Sequence, residues 1–370
     1  FFKMFGIPLY QEISNEKFND GVADVINYVM QKTSPEHFTH FAKEIYEELK
    51  REKVIVEKTE TIISCSICDF ERRLEDGEQV PSLCSCEGEI KSIIETSFSI
   101  DMKVVEKIVK QSFEAFAKEK KWILSKKKVE RTIGNEKLEF LHLQRIQNEK
   151  SLFVLITKEP LTRNVLNSLA KQMMPTIIVL CGFNSTEIEK YTVDCLQAIS
   201  FGDLKGNSDP IKFIEQVTDK IEYRTKTYVA AAASKAYDSL NETRNLPSSI
   251  SQKYGQGDLE DDTYAILKDI FPNSIKWGKD KNGNALPEGV FTISYKAKRG
   301  NNFEKFVFSY DCKFTRNDEG YDLKKSEQRK AVEYVKHLSE LDEIYQFSSK
   351  QHIDAHIFIS NQSFKELQVE

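Results

Sequence analysis

Two stretches near the C-terminus, PEGVFTISY at residues 287–295 and FEKFVFSYDCKF at residues 303–314, have the composition of β-strands. Both are rich in aromatic and β-branched residues, and the turn-forming sequence Gly300-Asn301-Asn302 separates them. We therefore predict two neighbouring strands. The second is apolar along most of its length, which is typical of the central strand of a sheet.

The charged residues of these two stretches lie where the strands begin or end. Side chains at positions i and i+2 of a strand share a face, so Asp311 and Lys313 are expected to project together while Cys312 points into the opposite layer. Glu288, at the start of the neighbouring strand, can reach the same point. This geometry permits a metal ion held by Glu288 and Asp311, with the backbone carbonyl of Cys312 as a further oxygen ligand.

This set of residues suits hydrolysis of a phosphodiester. A bound divalent metal lowers the pKa of a water molecule and offsets charge that develops on the phosphate. Lys313 can hold the attacking water or the phosphate oxygens. An Asp-x-Lys motif alone is a weak signal, because these residues are common, and its placement at the end of an apolar strand is what strengthens it.

Further elements are predicted around the two strands. Residues 258–271 and 323–338 have helical patterns, and residues 353–360 form another apolar strand. The predicted order is helix, strand, strand, helix, strand.

In this order the C-terminal region, about 110 residues long, resembles the PD-(D/E)xK nuclease superfamily, and within it the FokI-type restriction endonuclease cleavage domain. Four segments carry the resemblance: Leu259-Glu260 on the first helix, Pro287-Glu288-Gly289, Asp311-Cys312-Lys313, and the helix from Tyr321-Asp322-Leu323 to Tyr334-Val335. The sequence departs from the family pattern at Glu288, where the family has Asp, which lengthens that ligand by one methylene group.

The resemblance implies a restriction-endonuclease-like α/β/α core and a metal-dependent enzyme that cuts double-stranded DNA as a paired domain. It implies Mg²⁺ or Mn²⁺ as cofactor, with Glu288, Asp311 and Lys313 as catalytic residues. Glu260 is either a further acid of the metal site or a surface acid of its helix. Glu327 and Gln328, on the helix that faces the site, are weaker candidates.

A different function is compatible with the same residues. The C-terminal domain could be a catalytically inactive nuclease fold, kept in a DNA-binding, sensor or adaptor protein that zinc stabilises. The substitution at Glu288 favours this alternative. Retained DNA binding without metal-dependent cleavage would distinguish it from an endonuclease acting in restriction or phage defence.

Four cysteines cluster in the first quarter of the chain. Cys65 and Cys68 form a C-x2-C pair, and Cys84 and Cys86 follow as a C-x-C pair. Four thiolates in two close pairs can close a tetrahedral Zn²⁺ site of the structural kind. Unligated cysteines are the alternative, and the C-x-C half makes the pattern less specific.

The rest of the chain predicts an α/β protein of several parts. Residues 1–97 are a helical module with the zinc-ribbon-like cysteines. This module contains two predicted helices, at residues 15–32 and from Ser34 to about Lys53, and then a strand. That order would suit a winged helix, and it would suit other small folds too. Residues 98–225, where strands alternate with helices, form an α/β middle domain for sensing or recognition. Residues 226–256 are a helical linker, and residues 257–370 are the nuclease domain. Nucleotide binding by the middle domain has no motif behind it, since no Gly-rich loop opens a helix there.

Composition limits the partners. The formal net charge is −5 with a pI of about 5.9, so DNA would be bound through local basic faces or in a larger assembly. We therefore expect a homodimer or larger assembly, which could include a regulatory protein partner.

The seven cysteines do not suggest a disulfide framework, and no apolar run approaches the roughly 18 residues of a membrane span. The sequence thus predicts a cytoplasmic protein without a membrane partner.

Overall fold

The computed structural model describes residues 21–31, 38–68, 70–74, 79–133, 136–145, 150–158, 160–182, 188–245, 254–277, 286–296, 303–317, 319–338 and 352–365. Helices and strands are mixed along the chain, and the described strands form three sheets. The predicted α/β class is therefore confirmed. None of the described helices is long and apolar enough to cross a membrane.

The first part of the chain contains two helices and a long β-ribbon. The elements are α1 (Gly21–Met30), α2 (His40–Arg51), β1 (Ile55–Cys65), β2 (Glu71–Arg73) and β3 (Ile90–Ile100). β1 pairs with β3 in antiparallel fashion along its whole length, from Ile55 opposite Ile100 to Cys65 opposite Ile90. Residues 15–20 and 32–37 of the two predicted helices lie outside the described residues.

The middle of the chain forms a six-stranded sheet covered by helices. Its elements are α3 (Met102–Lys120), β4 (Ile123–Leu124), β5 (Val129–Ile133), β6 (Glu136–Arg145), β7 (Lys150–Thr157), α4 (Arg163–Lys171), β8 (Thr176–Leu180), β9 (Leu196–Ser200) and α5 (Phe201–Gly206). β7, β8 and β9 run parallel, whereas β6 is antiparallel to β7. Strands and helices alternate from β7 to α5, as the sequence predicted for this part of the chain.

The predicted boundary between residues 97 and 98 does not separate two cores. It falls inside β3, and one hydrophobic cluster joins Ile26 of α1 and Leu49 of α2 to Phe113 of α3 and Val154 of β7. The two N-terminal helices therefore pack on the same core as the middle sheet. Spacing patterns along a sequence do not reveal such packing between distant segments.

The long helix α6 (Pro210–Asn245) also differs from the prediction, which placed a domain boundary at residues 225–226. It continues through that point as one helix of 36 residues. Its second half packs on the next helix, α7 (Gln256–Ile270), where Val229 and Ala236 contact Tyr264. The predicted linker is thus a packed element as far as Asn245.

A four-stranded sheet forms the C-terminal part. It contains β10 (Ile275–Lys276), β11 (Gly289–Lys296), β12 (Phe303–Lys313) and β13 (Ala355–Ser360), in that spatial order, with α8 (Lys325–Leu338) between β12 and β13 in the chain. β13 is parallel to β12, and the other pairs are antiparallel. Leu259 of α7 packs with Cys312 on one face, and Leu338 of α8 packs with Val307 on the other. One helix therefore covers each face of the sheet.

Candidate functional site

The alternation along β12 separates a polar side from an apolar side. Tyr310 and Cys312 are buried against α7, while Asp311 and Lys313 lie on the face that α8 covers. Burial raises the pKa of the Cys312 thiol to about 12, so this thiol is a core group and not a nucleophile. The predicted shared face of Asp311 and Lys313 is present, and their Oδ2 and Nζ atoms are 3.5 Å apart.

Glu288 and Asp311 are brought together by the pairing of β11 with β12. Gly289 lies opposite Tyr310, so continuing the register by one residue places Glu288 opposite Asp311. The Glu288 amide donates to Asp311 Oδ1 at 3.0 Å. Asp311 itself is only 4% exposed, so its carboxylate is held in one position at the end of the strand.

Gly289 is required at this point by close approach of two neighbours. A Cβ atom on residue 289 would lie 2.2 Å from the carbonyl oxygen of Ile275 and 2.7 Å from the Tyr310 hydroxyl. Any larger residue would therefore push β11 away from β10 and β12. The glycine that follows Glu288 thus has a structural role in placing that residue.

Lys313 has a second acidic neighbour on α8. Its Nζ lies 3.2 Å from Glu327 Oε1, and that carboxylate also accepts from the Tyr321 hydroxyl at 2.9 Å and the Lys324 amide at 3.0 Å. Burial alone would raise the pKa of Glu327, but these three donors outweigh it and hold the pKa below its ordinary value. Glu327 is therefore a fixed anion that positions Lys313. From the sequence, Glu327 was only one of the weaker candidates for the site.

Glu260 lies at the same end of the sheet, on α7. Its Oε1 accepts from Gln256 at 2.9 Å, and Lys276 lies 3.9 Å from its Oε2. Burial raises the pKa of Glu260, and the carboxyl group of Glu288, which is its hydrogen-bond partner, raises it further. Glu260 and Glu288 thus bring two carboxyl groups together at this end of the sheet, and carboxylate oxygens are ligands that a divalent cation prefers.

Gln256 connects α7 to the end of β12. Its Nε2 donates to the Cys312 carbonyl at 2.7 Å, and its Oε1 accepts from the Phe314 amide at 2.9 Å. The predicted metal-ligating carbonyl thus already accepts one hydrogen bond and keeps one lone pair for a further partner. The sequence carried no signal for this role of Gln256, because Cys312 and Phe314 are more than 50 positions away.

Among the described residues, these acids do not form a tight three-carboxylate cluster. The only group of three or more potential ligands found within 4.8 Å of one another there consists of the four cysteines. The structure thus pairs Glu288 with Asp311 through the backbone, and Glu288 with Glu260 through the side chains. The metal-binding roles of Glu288, Asp311, Glu260 and the Cys312 carbonyl remain predictions.

The four predicted cysteines meet at the far end of the β1–β3 ribbon. Their Sγ–Sγ distances are 3.3 Å for Cys65–Cys86, 3.5 Å for Cys68–Cys86 and 3.7 Å for Cys68–Cys84. Thiolates around a tetrahedral Zn²⁺ ion are about 3.8 Å apart, given a Zn–S bond of about 2.3 Å. The cluster could therefore hold a metal ion such as zinc.

The backbone around Cys65 supports a thiolate. Amide donation from Cys68 and from Ile67 lowers the pKa of the Cys65 thiol to about 6. The Ile67 amide lies 3.3 Å from the sulfur. Turns of this kind stabilise the charged form that a metal binds.

Comparison with known proteins does not assign this site. No protein-family model matches the sequence, and neither the curated proteins nor the solved structures include a significant match.

Proposed function

We propose that the C-terminal part is a divalent-metal-dependent DNA endonuclease of the restriction or anti-phage defence type. The observation that carries the proposal is the arrangement at the end of β12, where Asp311 and Lys313 share a face and the Glu288 amide is bonded to Asp311. The order of α7, three strands, α8 and β13 supports the resemblance to the PD-(D/E)xK superfamily and a restriction-endonuclease-like core.

Each residue has a role in this proposal. Glu288 and Asp311 supply carboxylate oxygens to Mg²⁺ or Mn²⁺, and Glu260 is the further acid at the rim of the site. When bound, the metal supplies a water of lowered pKa and offsets charge on the phosphate. Lys313, held between Asp311 and Glu327, orients the water or contacts a phosphate oxygen.

The substrate and the assembly follow from the resemblance and the charge. Double-stranded DNA is the proposed substrate, the nuclease works as a homodimer or larger assembly, and the N-terminal regions choose the target. The net charge of −5 supports activity that depends on assembly or on a protein partner, because isolated chains attract a polyanion weakly.

The proposal is tested by incubating plasmid DNA with the full chain and Mg²⁺ or Mn²⁺. We expect linear product from the wild type and a loss of at least about 100-fold for Asp311→Asn and for Lys313→Met, because each removes a group that acts on the reacting phosphate. Asp238→Asn and Lys330→Met, at exposed positions of α6 and α8, are the matched controls. Equal cutting by the wild type and Asp311→Asn would refute the assignment.

The inactive DNA-binding alternative has its own supporting observation. The Cys312 carbonyl is engaged by Gln256, and the described acids lack a tight three-carboxylate cluster. A gel-shift measurement on the same proteins separates the two functions. DNA binding with no cleavage under either metal would favour the sensor or adaptor.

We also propose that the four cysteines bind one structural Zn²⁺ ion. Their mutual distances and the amide donors at Cys65 support a closed site with four protein ligands. A closed site leaves no open coordination position, so this metal would stabilise the ribbon and take no part in hydrolysis.

A further inference from the structure

A cavity of about 500 Å³ lies where the middle sheet meets the C-terminal part. It is bounded by the β6–β7 hairpin, by α6, and by the connection from α7 to β10. A second cavity of about 310 Å³ adjoins it, and Lys150, Asp219 and Glu222 line both. We call the two cavities together the junction cleft; their size is that of small-molecule sites, about 300–1,000 Å³.

The larger cavity has an aromatic and sulfur-containing wall. His142 stacks on Phe153, with ring centroids 4.6 Å apart and ring planes 17° from parallel. Met173 and Met174 also line it. Aromatic faces and polarisable thioethers are well suited to packing against a flat ring.

Two buried polar groups of the larger cavity lack hydrogen-bond partners. They are Nε2 of His142 and Oγ1 of Thr225, which are 2% and 7% exposed as residues. Burial lowers the pKa of His142 to about 3, and its Nδ1 pairs with Ser125 Oγ at 3.3 Å. The imidazole is thus neutral, with one ring nitrogen left for a ligand.

The smaller cavity repeats this pattern. Nε of Arg145 and Oγ1 of Thr218 are buried without hydrogen-bond partners. Thr218 lies two turns before Thr225 on the same face of α6. Elsewhere on this helix, Thr227 and Thr243 satisfy their hydroxyls by donating to the carbonyl four residues earlier.

The cations of the smaller cavity are not equivalent. Lys120 is paired with Glu215 at 2.8 Å, and Lys150 is paired with Glu222. Arg145 has no such ion pair with the described residues. A guanidinium presents a planar fork that fits a phosphate or carboxylate through two hydrogen bonds.

We propose that the junction cleft binds a small molecule with a flat heteroaromatic ring and one anionic group, the chemistry of a nucleoside monophosphate. The ring packs against Phe153 and Met173, and its polar edge bonds to His142 and Thr225. The phosphate is bound by Arg145. Because side chains make these contacts, a Gly-rich loop is not needed.

The cleft is connected to the candidate nuclease site through two elements. Lys268 lines the cleft and lies about two turns after Glu260 on α7, while Ile275 lines it and pairs with Val290 next to the Glu288-Gly289 corner. A ligand would therefore contact both elements that position the acids. This regulatory consequence rests on the proposed function, whereas binding itself does not.

Isothermal titration calorimetry on the full chain tests the proposal, with AMP, GMP, CMP and UMP, the four matching nucleosides and inorganic phosphate as probes. We expect at least one monophosphate to bind with a submillimolar Kd, and its nucleoside to bind at least about tenfold more weakly, since a charge-assisted hydrogen bond is lost. Phosphate alone should bind more weakly still.

Variants separate the site from unspecific binding. Arg145→Gln should weaken the bound monophosphate at least about tenfold, Thr225→Val should weaken it less, and the exposed Arg163→Gln is the matched control. Circular dichroism verifies folding, and Arg145→Lys, which keeps the positive charge but loses the planar fork, replaces Arg145→Gln if that variant does not fold. Binding of none of the four monophosphates, or equal affinity in Arg145→Gln and Arg163→Gln, would overturn the proposal. Asp311→Asn should keep the wild-type affinity, so failure of the nuclease function and failure of this site are distinguishable.

Discussion

Lys313 lies between two carboxylates, Asp311 on its own strand and Glu327 on α8. A lysine side chain carries its ammonium group on four flexible methylene groups. Holding that group at one point therefore costs conformational entropy. Glu327 reduces that freedom, because its carboxylate is itself fixed by Tyr321 and the Lys324 amide. At the residue scale, the position of the candidate catalytic ammonium is thus set by a residue that need not touch DNA.

Glu327→Gln tests this role. We expect cleavage to be slowed about tenfold or more, because a charge-assisted hydrogen bond of about 1.5–3 kcal/mol is lost. DNA affinity should change little, so the loss should appear in kcat and not in KM. Glu333→Gln, at an exposed position of the same helix, is the control. A loss in KM alone would contradict a positioning role.

Gly289 gives a second residue-scale prediction, on stability. Gly289→Ala should destabilise the protein by about 1–3 kcal/mol, because its Cβ would overlap the Ile275 carbonyl. Gly257→Ala on α7 has open space around it and should instead stabilise by about 0.5–1 kcal/mol. Urea denaturation measures both, and similar effects from the two substitutions would contradict a close approach of residue 289 to the Ile275 carbonyl.

At the scale of elements, the β1–β3 ribbon depends on what holds its two ends. Eleven paired residues reach about 36 Å, and an isolated antiparallel pair of that kind is marginally stable in water. One end is fixed by Ile55 and Ile100, which belong to the hydrophobic cluster shared by α1, α2, α3 and the middle sheet. The other end carries the four cysteines. Ile93 and Ile94 are exposed, so no second layer formed by the described residues covers the middle of the ribbon.

The base of the ribbon is also joined to α2 by Glu57. Its carboxylate binds Lys50 and the Tyr46 hydroxyl, and these two hydrogen bonds lower the pKa of Glu57 below its ordinary value near 4.5. A lowered folded-state pKa means stability that is present above the unfolded pKa and lost as the pH falls through the folded one. Glu57→Gln should therefore lower the Tm at pH 7.

The difference in Tm between wild type and Glu57→Gln should shrink as the pH falls below about 4.5, and it should disappear once the wild-type carboxylate is protonated in the folded state too. Thermal denaturation followed by circular dichroism between pH 3 and pH 7 measures this. Glu71→Gln, on the exposed strand β2, is the control. A difference independent of pH would show that the side-chain shape of Glu57 matters and its charge does not.

At the scale of the whole molecule, the hydrophobic clusters divide the chain into parts that should differ in their free energy of local unfolding. The largest cluster joins α1, α2, α3 and the middle sheet, and a separate cluster containing Trp277 underlies the C-terminal sheet. The four cysteines belong to neither. Loss of their metal should therefore unfold the end of the ribbon and leave both cores intact.

Zinc removal tests this division. We expect about one zinc per chain by elemental analysis, lost in Cys68→Ser and retained in the control Ser66→Ala. After chelation, limited proteolysis should cut between residues 66 and 89. Emission of Trp122 and Trp277, which lie in the two cores, should stay unchanged. Loss of both tryptophan signals on chelation would show that the metal site supports the entire fold.

Features that depend on neighbouring residues could be predicted before the fold was known. Alternation along β12 is enough to place Asp311 and Lys313 on one face and Cys312 on the other, because side chains of a strand point to opposite sides in turn. The spacing of the four cysteines was likewise sufficient to predict that they meet.

Contacts between distant segments, in contrast, become visible only in the folded chain. Strand register and helix packing set three contacts of the candidate site. These are the hydrogen bond from the Glu288 amide to Asp311, the ion pair of Glu327 with Lys313, and the two hydrogen bonds of Gln256 to the end of β12. The same holds for the shared core across residue 97, the uninterrupted helix Pro210–Asn245, and the junction cleft. Such contacts arise from the burial of apolar surface in three dimensions, and local periodicity carries no information about which buried faces meet.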